Sequence, residues 1–470
     1  MAGGLAPFAG HRRSIERLIA DSGHGEGGDL TRSLGFVALT MLSIGAMVGT
    51  GIFFVLGSTV EDAGPGVLLS FAIAGLLSIL SALSYAEMAS AVPVAGSAYS
   101  YSYALFGHMA AWMTGAFLTM EYGLSISAVA VGWGAYINDF LGSFDMALPE
   151  AVAAPPGEGG VFNVPALLVV FLAAFLLLRG MSESATVNNV MVALKFVILG
   201  VFIWIAFGAF DGANFTPFLP EGMGGVWAAA GAAFFAFIGF DTASTAAEEA
   251  RNPQRDMPRA IIVAVLTVLA LYLAVAAAAI GAKPPGEFES GSPILAVIAR
   301  EVTGSEAGAR FIAGGAALSI FTVVLAVMYG QTRVTFAMAR DGFLPRAFDR
   351  VNARHVPNRN ILMTATFFGM LAALVPIGPL LDVTVAGTFL ACIAVHLAVL
   401  TRRRTRPDIH PRFVVPFGPL VPVAGIAFCA YLLYSLGWTT LLITAGILTV
   451  CALFYVGRFS SADRRARTLA

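Results

Sequence analysis

The chain has 470 residues, of which 58% are hydrophobic and only 12% charged, with a formal net charge of -1 and a mean hydropathy of +0.82. A soluble domain of this size needs far more charge to cover its surface. Composition therefore excludes a soluble globular protein and indicates an all-α integral membrane protein, because apolar runs of about 18 or more residues recur along the whole chain.

Residues 1–30 are polar and glycine-rich, carry no apolar h-region or small-residue cleavage site, and are expected to form a cytoplasmic tail without a signal peptide. Twelve spans then follow in chain order, at about 34–59, 66–90, 101–137, 162–179, 186–208, 224–249, 259–281, 309–340, 360–377, 380–400, 414–436 and 439–457. The third and eighth are too long for one perpendicular crossing and are expected to tilt or to extend past the bilayer. A C-terminal tail, 459–470, closes the chain. Of the 27 lysines and arginines, 23 fall in the two tails and the even-to-odd connections, which places both termini in the cytoplasm by the positive-inside rule. The RRRTR cluster at 402–406 is read as a topology determinant rather than a nucleic-acid site.

The first span contains GAMVGTG, residues 45–51, in the middle of an otherwise apolar run. Glycine costs roughly 1 kcal/mol against alanine inside a helix, and a membrane helix that gives up backbone hydrogen bonds needs other partners for them. The sixth span, VWAAAGAAFFAFIGFDTASTAAEEA, has Gly239 and Asp241 near its midpoint and runs the opposite way through the membrane. Interrupted helices at matching positions of two inverted halves point to the binding site of a secondary transporter. Amides exposed near Ile52 suit a carboxylate, and carbonyls exposed near Phe237 suit an ammonium group. Together they describe a zwitterion such as an α-amino acid, with Gly45, Gly49 and Gly51 allowing close approach. Small-residue helix packing competes for Gly45 and Gly49.

Four motifs, IGAMVGTGIF, SYAEMASAVPVAGSAYSYSYALFG, FFAFIGFDTASTAAEEARNPQRDMPRAI and TRVTFAMARDGFLP, occur in an order that resembles the amino acid–polyamine–organocation superfamily. The match covers about residues 30–460 and is similar to the bacterial members of the cationic amino acid transporter branch. The resemblance implies a five-plus-five inverted-repeat fold working by alternating access. Its first repeat would span 31–212 and its second 213–405, with the eleventh and twelfth helices in 406–458. It also implies that backbone around Met47, Thr50 and Gly51 meets the substrate carboxylate, and that the carbonyls of Phe235, Ala236 and Ile238 meet the ammonium.

Lys195 lies near the centre of the fifth span, where a lysine is costly and functional by default. Burial disfavours the charged ammonium. In the similar bacterial transporters a lysine here replaces a sodium site, so Lys195 is expected to couple protons to transport, against a purely structural tether. Thr322 and Ser319 are the candidate ligands of a competing sodium mechanism, which a permanent ammonium would oppose. Glu121 in the third span and Asp241 after the sixth-span break are pocket or gating candidates. Glu87, Glu248 and Glu249 are read as cytoplasmic-side ion pairs.

No metal-ligand spacing, nucleophile–base pair or cofactor motif is present, so an enzyme is disfavoured and no metal or cofactor is expected. Cys392, Cys429 and Cys451 all lie in apolar spans and are read as inert thiols. The expected function is a plasma-membrane amino acid permease, proton-coupled, with the amino acid, protons and the lipid bilayer as partners. An exchanger, a cationic amino acid or polyamine carrier, and a transporter-like sensor or channel are the alternatives. The apolar residues near the breaks favour a neutral or broad substrate range, and no residue pattern sets an oligomeric state.

Overall fold

A computed structural model describes residues 34–49, 51–94, 96–179, 185–352 and 356–468, with side chains described for all of these except 185–187, 248 and 459–468. The N-terminal tail, Thr50 and the side chain of Glu248 thus lie outside the described residues.

Every regular element among them is helical, and the β pairing amounts to two isolated bridges. Hydrocarbon offers no partner to a free amide, so a helix, which satisfies its own backbone, is the form these apolar runs can take. In chain order the elements used below are α1 (Phe36–Met47), α2 (Leu56–Ala63), α3 (Val67–Ala91), α4 (Ala98–Phe106), α5 (His108–Leu118), α6 (Leu124–Gly142), α7 (Val164–Leu178), α8 (Ala185–Phe207), α9 (Gly222–Phe235), α10 (Pro253–Ala282), α11 (Ile294–Thr303), α12 (Glu306–Arg340), α13 (Asn358–Leu374), α14 (Ile377–Thr405), α15 (Leu420–Ser435) and α16 (Trp438–Thr468).

Among the described residues seven stretches are long and apolar enough to cross a membrane, and α7, α9 and α15 are shorter apolar helices. One of the seven, Phe36–Ala91, holds the first two predicted spans, separated by the Gly64–Gly66 turn. The 35-residue α12 is about 52 Å long at 1.5 Å per residue, well beyond a 30 Å hydrocarbon core. The third predicted span is not one helix. Gly107, at φ 94, ends α4 and starts α5, and a π-helical turn at Thr119–Gly123 separates α5 from α6.

The tightest pairs in the bundle are α3 against α10, α6 against α12 and α1 against α10, and α9 packs closely on α3. Met47, Val48, Ile52, Phe235, Ala236 and Ile238 are all buried, so the two glycine-containing breaks are enclosed by the rest of the fold.

Candidate functional site

Helix α1 stops at Met47, and Val48 takes an extended conformation. The chain becomes helical again in a π turn, Gly51–Val55, with the Gly49 carbonyl accepting from the amides of Ile52 and Phe53. Lys195, buried on α8, reaches the carbonyls that this break releases. Its Nζ donates to Gly45 O at 2.7 Å and to Val48 O at 2.8 Å. Donors that carry charge make the stronger hydrogen bonds, so the lysine takes the place of the missing helical turn.

Helix α9 stops at Phe235, one turn before the predicted midpoint. The next amides close tight turns, Phe237 N to Phe234 O and Ile238 N to Phe235 O, and Gly239 adopts φ 104. The hydroxyl of Tyr272, on α10, lies 2.9 Å from Ala236 O and 2.8 Å from Met47 O, so one side chain bridges both breaks. Ser43 on α1 donates to Phe240 O at 3.1 Å and adds a second tie.

The glycines mark where the breaks touch. A Cβ on Gly51 would lie 2.2 Å from Ala236 Cα, and one on Gly239 would lie 2.7 Å from Ala46 Cβ. Each break therefore rests on backbone of the other. Gly49 faces Val323 of α12, where a Cβ would come within 2.5 Å of Cγ2, and Gly45 faces Asn188 and Val192 of α8.

Enclosed here is a cavity of about 10 Å³, lined by Ala46, Met47, Gly51, Ser125, Val129, Phe235, Ile238, Val323 and Val327. Its volume admits one water at most, so the site is closed around its centre. Four predicted residues, Met47, Gly51, Phe235 and Ile238, line it. Ala236 lies against Gly51, outside the lining. Ser125 is the polar side chain of the wall, and its buried Oγ has no hydrogen-bond partner.

Neither carboxylate candidate lines the cavity. Asp241 Oδ2 accepts from Ser97 Oγ at 3.0 Å, and Ser97 in turn accepts from Ser244, so Asp241 serves the unwound segment. Glu121 sits in the π turn of the third span, fully buried, with no hydrogen bond to either oxygen and Asp241, Cys392 and Thr388 as its electrostatic neighbours. Ser319 Oγ is buried without a partner, and Thr322 donates to the Ser319 carbonyl of its own helix.

Glu87 and Glu249, read above as ion-paired acids, do form ion pairs. Glu87 is fully buried between Arg402 and Arg403, at 2.7 Å and 2.5 Å, and also accepts from Val415 N. Glu249 accepts from Tyr329 at 2.7 Å, with Arg333 at 3.7 Å. Cys392 and Cys429 are buried, whereas Cys451 is only partly so. Among the described residues no group of His, Cys, Asp and Glu is arranged to hold a metal.

Sequence reasoning missed Tyr272 and the wall residues Ala46, Ser125, Val129, Val323 and Val327. A hydroxyl at mid-span in LALYLAV and a serine one helical turn after Glu121 were the available signals.

The amino acid permease family model matches residues 34–456, which takes in both breaks, the cavity and the ion-paired helix ends. The chain belongs to the amino acid permease family. It is 41% identical to the branched-chain amino acid permease BcaP of Bacillus subtilis, over 92% of this chain and 93% of that one. The methylthioribose transporter of the same organism is 38% identical, over 96% and 98%. Cationic amino acid transporter 2, vacuolar, of Arabidopsis thaliana is 35% identical, over 85% of this chain and 64% of the plant protein. The chain is thus an amino acid transporter of the membrane and not an enzyme, in line with the superfamily resemblance.

Proposed function

We propose that this permease carries a neutral, aliphatic α-amino acid by alternating access, with a proton as the coupling ion. The observation that carries the reading is the cavity between the two breaks, whose side-chain walls are Val129, Val323, Val327, Phe235 and Ile238 with Ser125 as the one hydroxyl. The chemistry of these walls matches a branched aliphatic chain once the closed cavity opens, and a distal cation would find no carboxylate there. The 41% identity to a protein named as a branched-chain permease supports the same choice.

The substrate carboxylate is assigned to backbone at Met47, Thr50 and Gly51. The ammonium is assigned to the carbonyls at Phe235, Ala236 and Ile238. Tyr272 has one hydroxyl proton and faces two carbonyls, so at any moment one of these oxygens is free to accept from an ammonium. Lys195 is assigned the coupling step. As an ammonium it ties Gly45 O to Val48 O and holds the first break, and on losing its proton it loses donors and charge and releases that segment. A cation at this point also opposes a sodium ion beside Thr322 and Ser319.

Twelve crossings with cytoplasmic termini and a five-plus-five inverted repeat complete the proposal. Support comes from the packing, because the second, third and fourth spans lie against the seventh, eighth and ninth, as a pseudo-twofold axis requires.

The test is uptake of radiolabelled leucine and alanine into proteoliposomes, with and without an inward proton gradient, with valine and arginine as competitors. Gradient-driven uptake blocked by valine but not by arginine supports the proposal. Uptake that needs internal amino acid and ignores the gradient overturns the coupling and makes the protein an exchanger. Strong competition by arginine overturns the substrate class.

A further inference from the structure

A second, larger cavity of about 800 Å³ lies away from the breaks, between α13 and α16, with α5, α12 and α14 behind it. Its walls are almost wholly apolar. Met363 and Phe367 on α13 and Ile443 on α16 line it and are at the same time exposed on the outer surface, so it opens sideways into the zone occupied by lipid. The threonines in its lining turn their hydroxyls away. Thr119 donates to Gly115 O, Thr335 to Gln331 O and Thr364 to Asn360 Oδ1, while the Gln331 amide nitrogen is spent on Thr119. Gln331 Oε1 remains as a lone acceptor, too little to hold a polar ligand.

The setting decides the occupant. The lining runs from Met363 to Val375, about 18 Å at 1.5 Å per residue, and is apolar along that length. With no polar group to recognise a partner and a mouth open to hydrocarbon, the crevice takes what the bilayer supplies at the opening, a flexible hydrocarbon chain.

We propose that this crevice is a binding site for one acyl tail of a membrane lipid. Its inner wall includes Thr119, Met120 and Leu124, which belong to or adjoin the π turn of the third span. Across that turn stand Glu121 and Tyr122, and α14 presses on it closely enough that a Cβ on Gly387 would lie 2.6 Å from Met120 Cβ. π-Helical turns are local interruptions that recur at functional sites. The tail props this one from the lipid side and so biases the helix that supplies Ser125 and Val129 to the small cavity. Occupancy itself needs only membrane insertion and does not depend on the proposed substrate or coupling.

Trp112 lines the crevice at 7% exposure and Trp204 stands on the outer surface at 77%, which gives a direct test. Two single-tryptophan proteins, each with the other four indoles replaced by Phe, are reconstituted in phosphatidylcholine brominated along its tails. Quenching of Trp112 within about twofold of Trp204 is expected, together with loss of most of it in Ala116→Phe, which fills the crevice. Val383→Phe is the second filling variant should Ala116→Phe misfold, and quenching of Trp204 in the same filled background reports insertion. Weak quenching of Trp112, or quenching unchanged by both fillings, overturns the site. Shielding of Trp112 that lifts as protein is diluted in lipid assigns the crevice to a second copy of the chain instead. Transport that varies with acyl-chain length in the parent and not in the filled variant is the expected functional consequence, and the quenching remains readable if no transport is found.

Discussion

At the first break Gly45 O and Val48 O are held by a cation, Lys195, and only Met47 O by a neutral hydroxyl, that of Tyr272; at the sixth, Ala236 O and Phe240 O are held by the neutral hydroxyls of Tyr272 and Ser43 alone. Both breaks solve the same problem, since a carbonyl in a membrane interior needs a donor. The solutions differ in what can change them. Loss of a proton converts Lys195 from a charged donor of three hydrogens to a neutral amine, whereas Tyr272 and Ser43 stay neutral throughout the physiological range. On the proposed mechanism the first break is the one that loss of a proton would release, and the sixth is the fixed reference against which it would move.

The largest effect is expected where the breaks meet. Gly51→Ala places a methyl 2.2 Å from the Ala236 Cα, which is backbone and cannot swing aside. The variant should lose substrate binding entirely, and its Tm in detergent should fall, because overpacking typically costs about 1–3 kcal/mol. A Gly51→Ala protein that binds and transports normally would mean that the two breaks are not in contact during turnover.

Next is Lys195→Ala, which separates the charged break from the neutral one. It leaves Gly45 O and Val48 O without their donor, at about 1–3 kcal/mol for each group left unsatisfied. Gradient-driven uptake should drop at least about tenfold, equivalent to 1.4 kcal/mol, while exchange of internal for external amino acid persists. Equal loss of both modes would make Lys195 a tether and end the distinction drawn between the breaks.

Tyr272→Phe is the matched change at the neutral side. It removes a hydroxyl shared by Met47 O and Ala236 O, so transport should slow by roughly tenfold, in keeping with about 1–1.5 kcal/mol for a hydrogen bond. Its dependence on the proton gradient should stay that of the parent. A flattened gradient response in Tyr272→Phe would move part of the coupling to the sixth break.

Several of these features were legible in the sequence because they violate local rules for a membrane helix. Gly45, Gly49 and Gly51 interrupt an apolar run, Gly239 and Asp241 interrupt another, and Lys195 is an ionisable group at mid-depth. The partners of those features were not legible, since they lie far away in the chain. Tyr272 is 225 residues from Met47, and periodicity carries no information about which carbonyl a hydroxyl will reach. The same limit explains the carboxylates. Glu121 and Asp241 read as pocket residues because they are costly where they stand, yet they face the Ser97 and Cys392 side rather than the cavity. The split of the third span was available in Gly107, but helical periodicity runs through that residue without a change of composition, and only its φ of 94 reveals the boundary.

The smallest effect is expected at Ser125, and it tests whether the cavity between the breaks receives the substrate. Ser125 lines the cavity, and its buried Oγ has no partner among the described residues. An orphaned buried hydroxyl costs stability in the empty protein, so its removal in Ser125→Ala should leave Tm unchanged or raise it slightly. If a substrate oxygen or ammonium supplies the missing partner, that hydrogen bond is lost with the hydroxyl. KM should then rise about five- to tenfold, corresponding to roughly 1 kcal/mol. The maximal rate should hold, because the contact is made in the bound state and in the moving state alike. An unchanged KM with unchanged Tm would place the substrate away from α6. The aliphatic wall of Val129, Val323 and Val327 would then be ordinary core rather than the determinant of which side chain is carried.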